Sequence, residues 1–287
     1  MVWVRLRGKP VQVVSQVKKE KGIVEKIIDL LARASIPVRL HRLGPKTYEF
    51  KDHVLGLFLK QECKLSYRRT SNLLNDLGHK TPTYSALARM NKRIPPVLWR
   101  ALLSATIKLS RGFIAAMDAA FFSRTNPSYH YLKRIDRALP VSKPVQATIL
   151  VNTRTKQCLS MKVRAIRRHD ATDRFYLLDH APPPRVLVAD KAYDINNLHQ
   201  YAKEHGFLSM IPIRKGTHTG FYRHYMERFF KLETYHKRSL VETVISCVKR
   251  KCGGNVASHT ARGARAEIFA RFIVHNLKLI PKIEIFN

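Results

Sequence analysis

The sequence predicts an α/β protein, a mixed sheet flanked by helices and preceded by an all-α region. Three observations carry that prediction. Over residues 23–110 apolar residues recur at the three- and four-residue spacing of helices. Over residues 111–287 short apolar runs alternate with helical ones, in the order strands, helix, strand, helix, strand, helix. A hydrophobic content of 45% in 287 residues is ample for one large core or two smaller ones.

Residues 1–22 read as a basic, loosely structured arm. Ile23, Ile27, Leu30 and Leu31 then mark a helix over 23–40, which Pro37 ends. Phe50, Val54, Leu57 and Phe58 mark a second over 48–60. Ser66 caps a third through Leu73, Leu74 and Leu77, closed by Gly78. Thr81-Pro82 suits an N-cap followed by proline at the first helical position. The fourth helix would place Tyr84, Leu87 and Met90 on one side and offer Arg89, Lys92 and Arg93 to solvent. Two short helices and a tight basic turn over 66–93 fit a DNA-binding helix-turn-helix. An ordinary helical hairpin fits the same pattern. Pro95-Pro96 breaks the chain, and residues 97–109 make a further helix with Trp99 in the core.

Strands are expected at 113–122, 129–135, 144–152 and 157–163, the last two joined by a turn at 153–156. Residues 170–180 read as helical, with Asp170 as the cap. After Pro182-Pro183-Pro184 comes a buried-type strand over 185–190. A helix over 195–205 (Asp194 its cap), a strand over 208–213 and a basic loop over 215–225 follow. The last elements are a helix over 236–251, stopped by Gly253-Gly254, and an amphipathic helix over 259–279.

Lys and Arg outnumber Asp and Glu by 53 to 20, a formal charge of +33 spread along the whole chain. A compact fold so charged repels itself, so a polyanionic partner is the natural inference, with nucleic acid ahead of a membrane surface. Four scattered cysteines exclude a disulfide scaffold, and Cys247, Cys252 and His259 read as ordinary side chains before a zinc site. The N-terminus makes a poor signal peptide, and no apolar run is long enough to span a membrane. A cytoplasmic, nucleoid-associated protein is expected.

Asp118 interrupts an apolar strand and Asp190 ends one. Bare burial of an ionised carboxylate is very costly, so each needs a compensating group. For one acid alone, a salt bridge would suffice. Two acids in matching strand contexts, followed by Glu242 in a basic helix, point further. Arg238, Glu242 and Lys249 fall close to one helical face, because four and seven residues are about one and two turns. Carboxylate oxygens suit hard ions such as Mg²⁺. Two such ions can activate a water or a 3′-hydroxyl and stabilise the leaving oxygen of an in-line phosphoryl transfer.

At these residues the chain resembles the DDE transposases of bacterial and archaeal insertion sequences, in the insertion-sequence-4/5 group. The resemblance rests on Ala116-Met117-Asp118-Ala119, on Val188-Ala189-Asp190-Lys191-Ala192-Tyr193-Asp194, and on the Tyr-x2-Arg-x3-Glu-x6-Lys signature filled by Tyr235, Arg238, Glu242 and Lys249. It implies a ribonuclease-H-like core over residues 111–287. The first Asp would lie on the first strand, the second on the fourth, and the Glu on a helix behind the fifth. It implies that Asp118, Asp190 and Glu242 bind two Mg²⁺ or Mn²⁺ ions. Arg238 and Lys249 would hold phosphates of double-stranded DNA, and Tyr235 would stack or hydrogen-bond near the cut. Larger relatives carry a β-rich insertion between the second Asp and the Glu that helps hairpin formation on the transposon end. The interval 190–242 has no room for it.

Lys191 could reach a phosphate or be a plain surface lysine. The expected reaction is cleavage and strand transfer at terminal inverted repeats, by a homodimer that brings two ends together. A nuclease of the same fold without strand transfer, a non-catalytic DNA-binding relic and a basic RNA-binding protein are the rivals. The relic predicts loss of a carboxylate, and all three are present. The RNA-binding reading leaves the Tyr–Arg–Glu–Lys register as coincidence.

Overall fold

A computed structural model describes residues 12–34, 36–41, 47–108, 112–124 and 144–280, with side chains from residue 22 onward. The first five helices are α1 (Gln12–Arg33), α2 (Phe50–Glu62), α3 (Tyr67–Asp76), α4 (Tyr84–Arg93) and α5 (Pro96–Ser104). Helix α1 starts at Gln12, so residues 12–22, expected as a loose arm, are helical. Ser66 caps α3 as expected, its side chain accepting from the Arg69 N–H, and Gly78 follows the helix at a φ of 75°. The cap of α4 is Thr83, not Thr81: its side chain accepts from the Ala86 N–H. The α3–α4 connection is therefore residues 77–83, longer than the tight turn expected. Helix α5 ends at Ser104, short of the expected residue 109.

The sheet comprises β1 (Ile114–Arg124), β2 (Val145–Asn152), β3 (Cys158–Arg164), β4 (Val186–Ala189), β5 (Leu208–Met210) and a short β6 (Asn255–Val256). Its order is β3-β2-β1-β4-β5, with β6 beside the far end of β1. The β1–β2 and β2–β3 pairs are antiparallel, whereas β1–β4 and β4–β5 are parallel. This mixed sheet of three antiparallel strands continued by two parallel ones, with helices on both faces, is the ribonuclease-H-like arrangement. The strand expected at 129–135 falls outside the described residues.

The remaining helices are α6 (Arg174–Asp179), α7 (Asn196–Glu204), α8 (Phe221–Glu227), α9 (Leu232–His236), α10 (Ser239–Cys252) and α11 (Ala261–Leu279). Four local expectations are corrected. A 3₁₀ turn at Asp170–Asp173 precedes α6, and its cap is His169, whose Nδ1 accepts from the Ala171 N–H, not Asp170. Asp194 does not cap α7 but is buried in an ion pair. The basic loop over 215–225 turns helical at Phe221. The helix expected over 236–251 starts at Ser239, after a separate short helix that ends at His236.

Alternation along the strands splits the interior in two. Ala116, Ala120 and Phe122 of β1 and Val186 and Val188 of β4 face one apolar core. Ala115 and Met117 of β1 and Leu187 and Ala189 of β4 face the other, with α6 and α7. The first core also holds residues of α1, α2, α5, α10 and α11, so the N-terminal helices and the sheet share it. Helix α11 runs through its middle. An amphipathic helix was expected, but every residue from Ala266 to Leu277 is buried. Its central ion pair is bonded internally: Glu267 pairs with Arg271 at 2.6 Å, and Arg271 also donates to Gln61 Oε1 and to the Gly253 and Asn255 carbonyls. Trp99 stacks on Phe269 with ring centroids 6.4 Å apart, and Asn91 Nδ2 donates to the Gly263 carbonyl at 3.3 Å. These contacts fasten α5 and α4 to α11.

Candidate active site

The register of β1 and β4 decides where the first two acids stand. Ala116 lies beside Val188, and Met117 beside Ala189. Asp118 and Asp190 come next on each strand. Asp118 within β1 and Asp190 just past the end of β4 therefore lie at the same end of adjacent parallel strands. Asp118 has the parity of Ala116 and Ala120, and Asp190 that of Val186 and Val188. Both side chains thus leave the sheet on the face covered by α10. Val241, Val244, Ile245 and Val248 pin α10 to that face. Glu242 then sits in the first turn of α10, where the helix dipole favours a carboxylate.

Arg238 joins the three acids. Its guanidinium pairs with Glu242 at 2.8 Å, one turn apart. Burial pulls its pKa down, but Glu242, Tyr235, Asp190 and Asp118 together hold it above the ordinary arginine value. Burial pushes the Asp118 carboxyl above the usual range. The Ala119 N–H, donating at 2.8 Å, and Arg238 oppose that push, while Glu242 and Asp170 add to it. Asp190 accepts from the Lys191 N–H at 2.7 Å, and the Lys191 side chain is exposed.

Asp170 was missed by the sequence, which offered it only as a helix cap. Gln146 Nε2 on β2 donates to its Oδ1 at 2.8 Å and orients it, and its charge reaches Asp118. An acid in the short connection between β3 and α6 was the available signal. Tyr193 is the other unforeseen neighbour. It is 1% exposed, its hydroxyl has no hydrogen-bond partner, and burial together with Asp118, Asp170, Asp173 and Asp190 pushes its pKa well above the ordinary value.

The signature residues gather at α9 and α10. Tyr235 on α9 lies 5.5 Å from Phe230, ring to ring. Lys249 brings its Nζ to 5.3 Å from the Phe122 ring, at the end of β1 beyond Asp118. Arg89, Lys92 and Arg93 are exposed on α4, as expected, on an element separate from those that carry the acids.

Asp194 anchors the turn after Asp190. It accepts from Arg223 Nε at 2.6 Å, His199 Nε2 at 3.1 Å and the Arg214 N–H at 2.9 Å. Arg214 also donates to the Lys191 and Ala192 carbonyls. Burial alone would raise the Asp194 pKa, but these partners more than offset it and hold the carboxyl below its usual range.

Residues 114–277, more than half of the chain, match the family described as the transposase DDE domain. The chain belongs to the DDE transposase family. The match opens at the first residue of β1 and takes in Asp118, Asp190 and Glu242. No curated protein matches the sequence. DDE transposases act on DNA and use divalent metal ions. Among the described residues, no three His, Cys, Asp or Glu side chains converge closely enough to hold a metal ion as they stand. The donor set nonetheless suits one: two carboxylates on neighbouring strands and a third, half exposed, neutralised by a single arginine. Among the described residues no helix is long and apolar enough to cross a membrane.

Proposed function

We propose that this DDE transposase binds the terminal inverted repeats of an insertion sequence and catalyses metal-dependent cleavage and strand transfer at their ends. The observation that carries this reading is the meeting of Asp118 and Asp190, on one face of two adjacent parallel strands, with the Arg238–Glu242 pair of α10. Asp118, Asp190 and Glu242 would hold two Mg²⁺ or Mn²⁺ ions, which supply activation of the attacking oxygen and charge stabilisation at the leaving one. Arg238 and Lys249 bind phosphates at the transposon end. Tyr235 stacks or hydrogen-bonds near the scissile strand, and the exposed Lys191 reaches a phosphate. Arg89, Lys92 and Arg93 grip the repeat through α4. A homodimer pairs the two ends. With a charge of +33, phosphate neutralisation alone supplies strong, salt-dependent affinity.

The test compares the wild type with Glu242→Gln on a duplex ending in the flanking inverted repeat, with Mg²⁺ present and a labelled target added. Cleavage and joining lost in the variant, with duplex binding retained, supports the assignment. Equal cleavage by both would sink it. Cleavage without joining by the wild type would identify a nuclease.

A further inference from the structure

The segment between β5 and α9 carries a feature with no part in metal-dependent cleavage. Phe221, Tyr225 and Phe229 recur every four residues, so they form one file along a side of α8 and its continuation. Phe221 and Tyr225 stack at 6.4 Å with planes 25° apart, and Phe229 follows Tyr225 at 5.5 Å. The inward side of α8 is formed by Arg223 and Met226 instead. Phe221 is 67% exposed and Phe229 41%. Tyr225 packs in part against the second core, but packing does not account for Phe221 and Phe229. A contiguous exposed aromatic strip marks a contact surface.

A cation sits over the file. Lys203 on α7 places its Nζ 4.5 Å from the Tyr225 ring centre, 5.4 Å from Phe221 and 5.6 Å from Tyr222. Arg228 and Lys231, both exposed, flank Phe229 in sequence. The file also leads towards the acids. Phe230, next in the chain, lies against Tyr235, and Tyr235 is one of the groups acting on Arg238. Beneath it, Arg223 ties α8 to Asp194, four residues beyond Asp190.

We propose that Phe221, Tyr225 and Phe229, with Lys203, form a stacking platform for the unpaired bases of single-stranded DNA. Every base has a flat π face, so aromatic rings beside cations hold a single strand without reading its sequence. An intact duplex hides those faces and gains little from the platform. A second copy of this chain is disfavoured on this strip, because without DNA between them two bodies of +33 repel where phosphate would attract. The choice of DNA rests on the proposed function, but binding is read without metal and without catalysis.

The experiment measures fluorescence anisotropy of a labelled oligothymidylate and of a duplex of equal length, with chelator present. The full chain is compared with Phe221→Ala/Phe229→Ala and with Phe221→Trp. Both phenylalanines are exposed, so the fold is retained, and circular dichroism checks it. The double variant is expected to bind the single strand about tenfold or more weakly, the scale of one to two lost stacked bases. Its duplex affinity and salt slope stay the same, and Phe221→Trp binds the single strand at least as well as the wild type. Equal single-strand affinity in all forms overturns the proposal, as does an equal loss for duplex. So does a double variant whose only change is a shift from dimer to monomer in sedimentation, which would make the strip a self-association surface. Binding is read with chelator present and no cleavage is scored, so failure of the platform and failure of the catalytic reading remain separable.

Discussion

Arg238 and Glu242 form a 2.8 Å ion pair across one helical turn, with the charges of Asp118 and Asp190 acting on the same guanidinium. The arginine is therefore the counter-charge of the whole acidic site when no metal is bound. Replacing it should move two measurements in opposite directions. Arg238→Gln leaves the carboxylates mutually repelling, so Mn²⁺ titrated into the protein binds more tightly. Cleavage becomes slower by about tenfold or more, the weight of one lost charge-assisted hydrogen bond. Weaker metal binding in the variant would show that Arg238 is no competitor for the carboxylates.

Stability should fall on mild acidification. Burial holds both His199 and His275 below the ordinary histidine value of about 6.5. The His275 Nε2 lies 3.1 Å from the Lys156 carbonyl, and its Nδ1 is buried without a partner. Below about pH 6.5 the unfolded chain takes up protons that the folded one refuses, so stability is complete above that value and lost beneath it. The Tm should drop between pH 7.5 and about 5. His275→Gln, which can still donate to the carbonyl, should show a shallower drop. Parallel Tm curves for the two proteins would rule His275 out.

The Asp194–Arg223 pair should be among the costliest to break. The aspartate side chain is fully buried and the arginine nearly so. Arg223→Met strands a carboxylate that keeps only His199 and a backbone N–H, a loss of about 3–5 kcal/mol in urea unfolding. Arg223→Lys should rescue little, because the arginine also donates to the Thr219 and Asp194 carbonyls. A loss under about 1 kcal/mol, the range of surface pairs, would contradict the buried geometry.

Tyr193 offers the reverse case. Its buried hydroxyl has no partner, and such a group costs about 1–3 kcal/mol. Tyr193→Phe should thus leave the Tm of the metal-free protein unchanged or raise it. A clear fall would mean that the hydroxyl is bonded in solution, through water or one of the neighbouring carboxylates.

The strands and acids of the core were legible because the sheet is buried on both faces. An apolar run broken by one carboxylate, as at Asp118, stands out against such a background. The signature around Glu242 was legible because four and seven residues map onto one helical face. Other features needed the fold. Asp170 lies close to Asp118 only because Gln146 on β2 reaches across to hold it, a contact between residues 24 apart. Asp194 looked like a cap because caps and buried ion-pair acids use the same residue type. Helix α11 looked amphipathic because Glu267, Arg271, His275 and Asn276 carry polar atoms, yet all four are buried, and Arg271, His275 and Asn276 find partners in distant segments. Local periodicity records polarity and not the long-range contacts that satisfy it.

The burial of α11 between the N-terminal helices and the sheet has a further consequence. Among the described residues, the helices around Arg93 and the sheet beneath Glu242 share one packed core, which favours their moving together. A protein built this way measures DNA like a ruler. On the proposed function, with α4 on the repeat and Glu242 at the cut, the cut would fall at a set number of base pairs from the sequence α4 holds, on a set side of the duplex. Inserting about five base pairs between them, roughly half a turn, puts the scissile phosphate out of phase and abolishes cleavage. Inserting a full turn restores the phase but not the length.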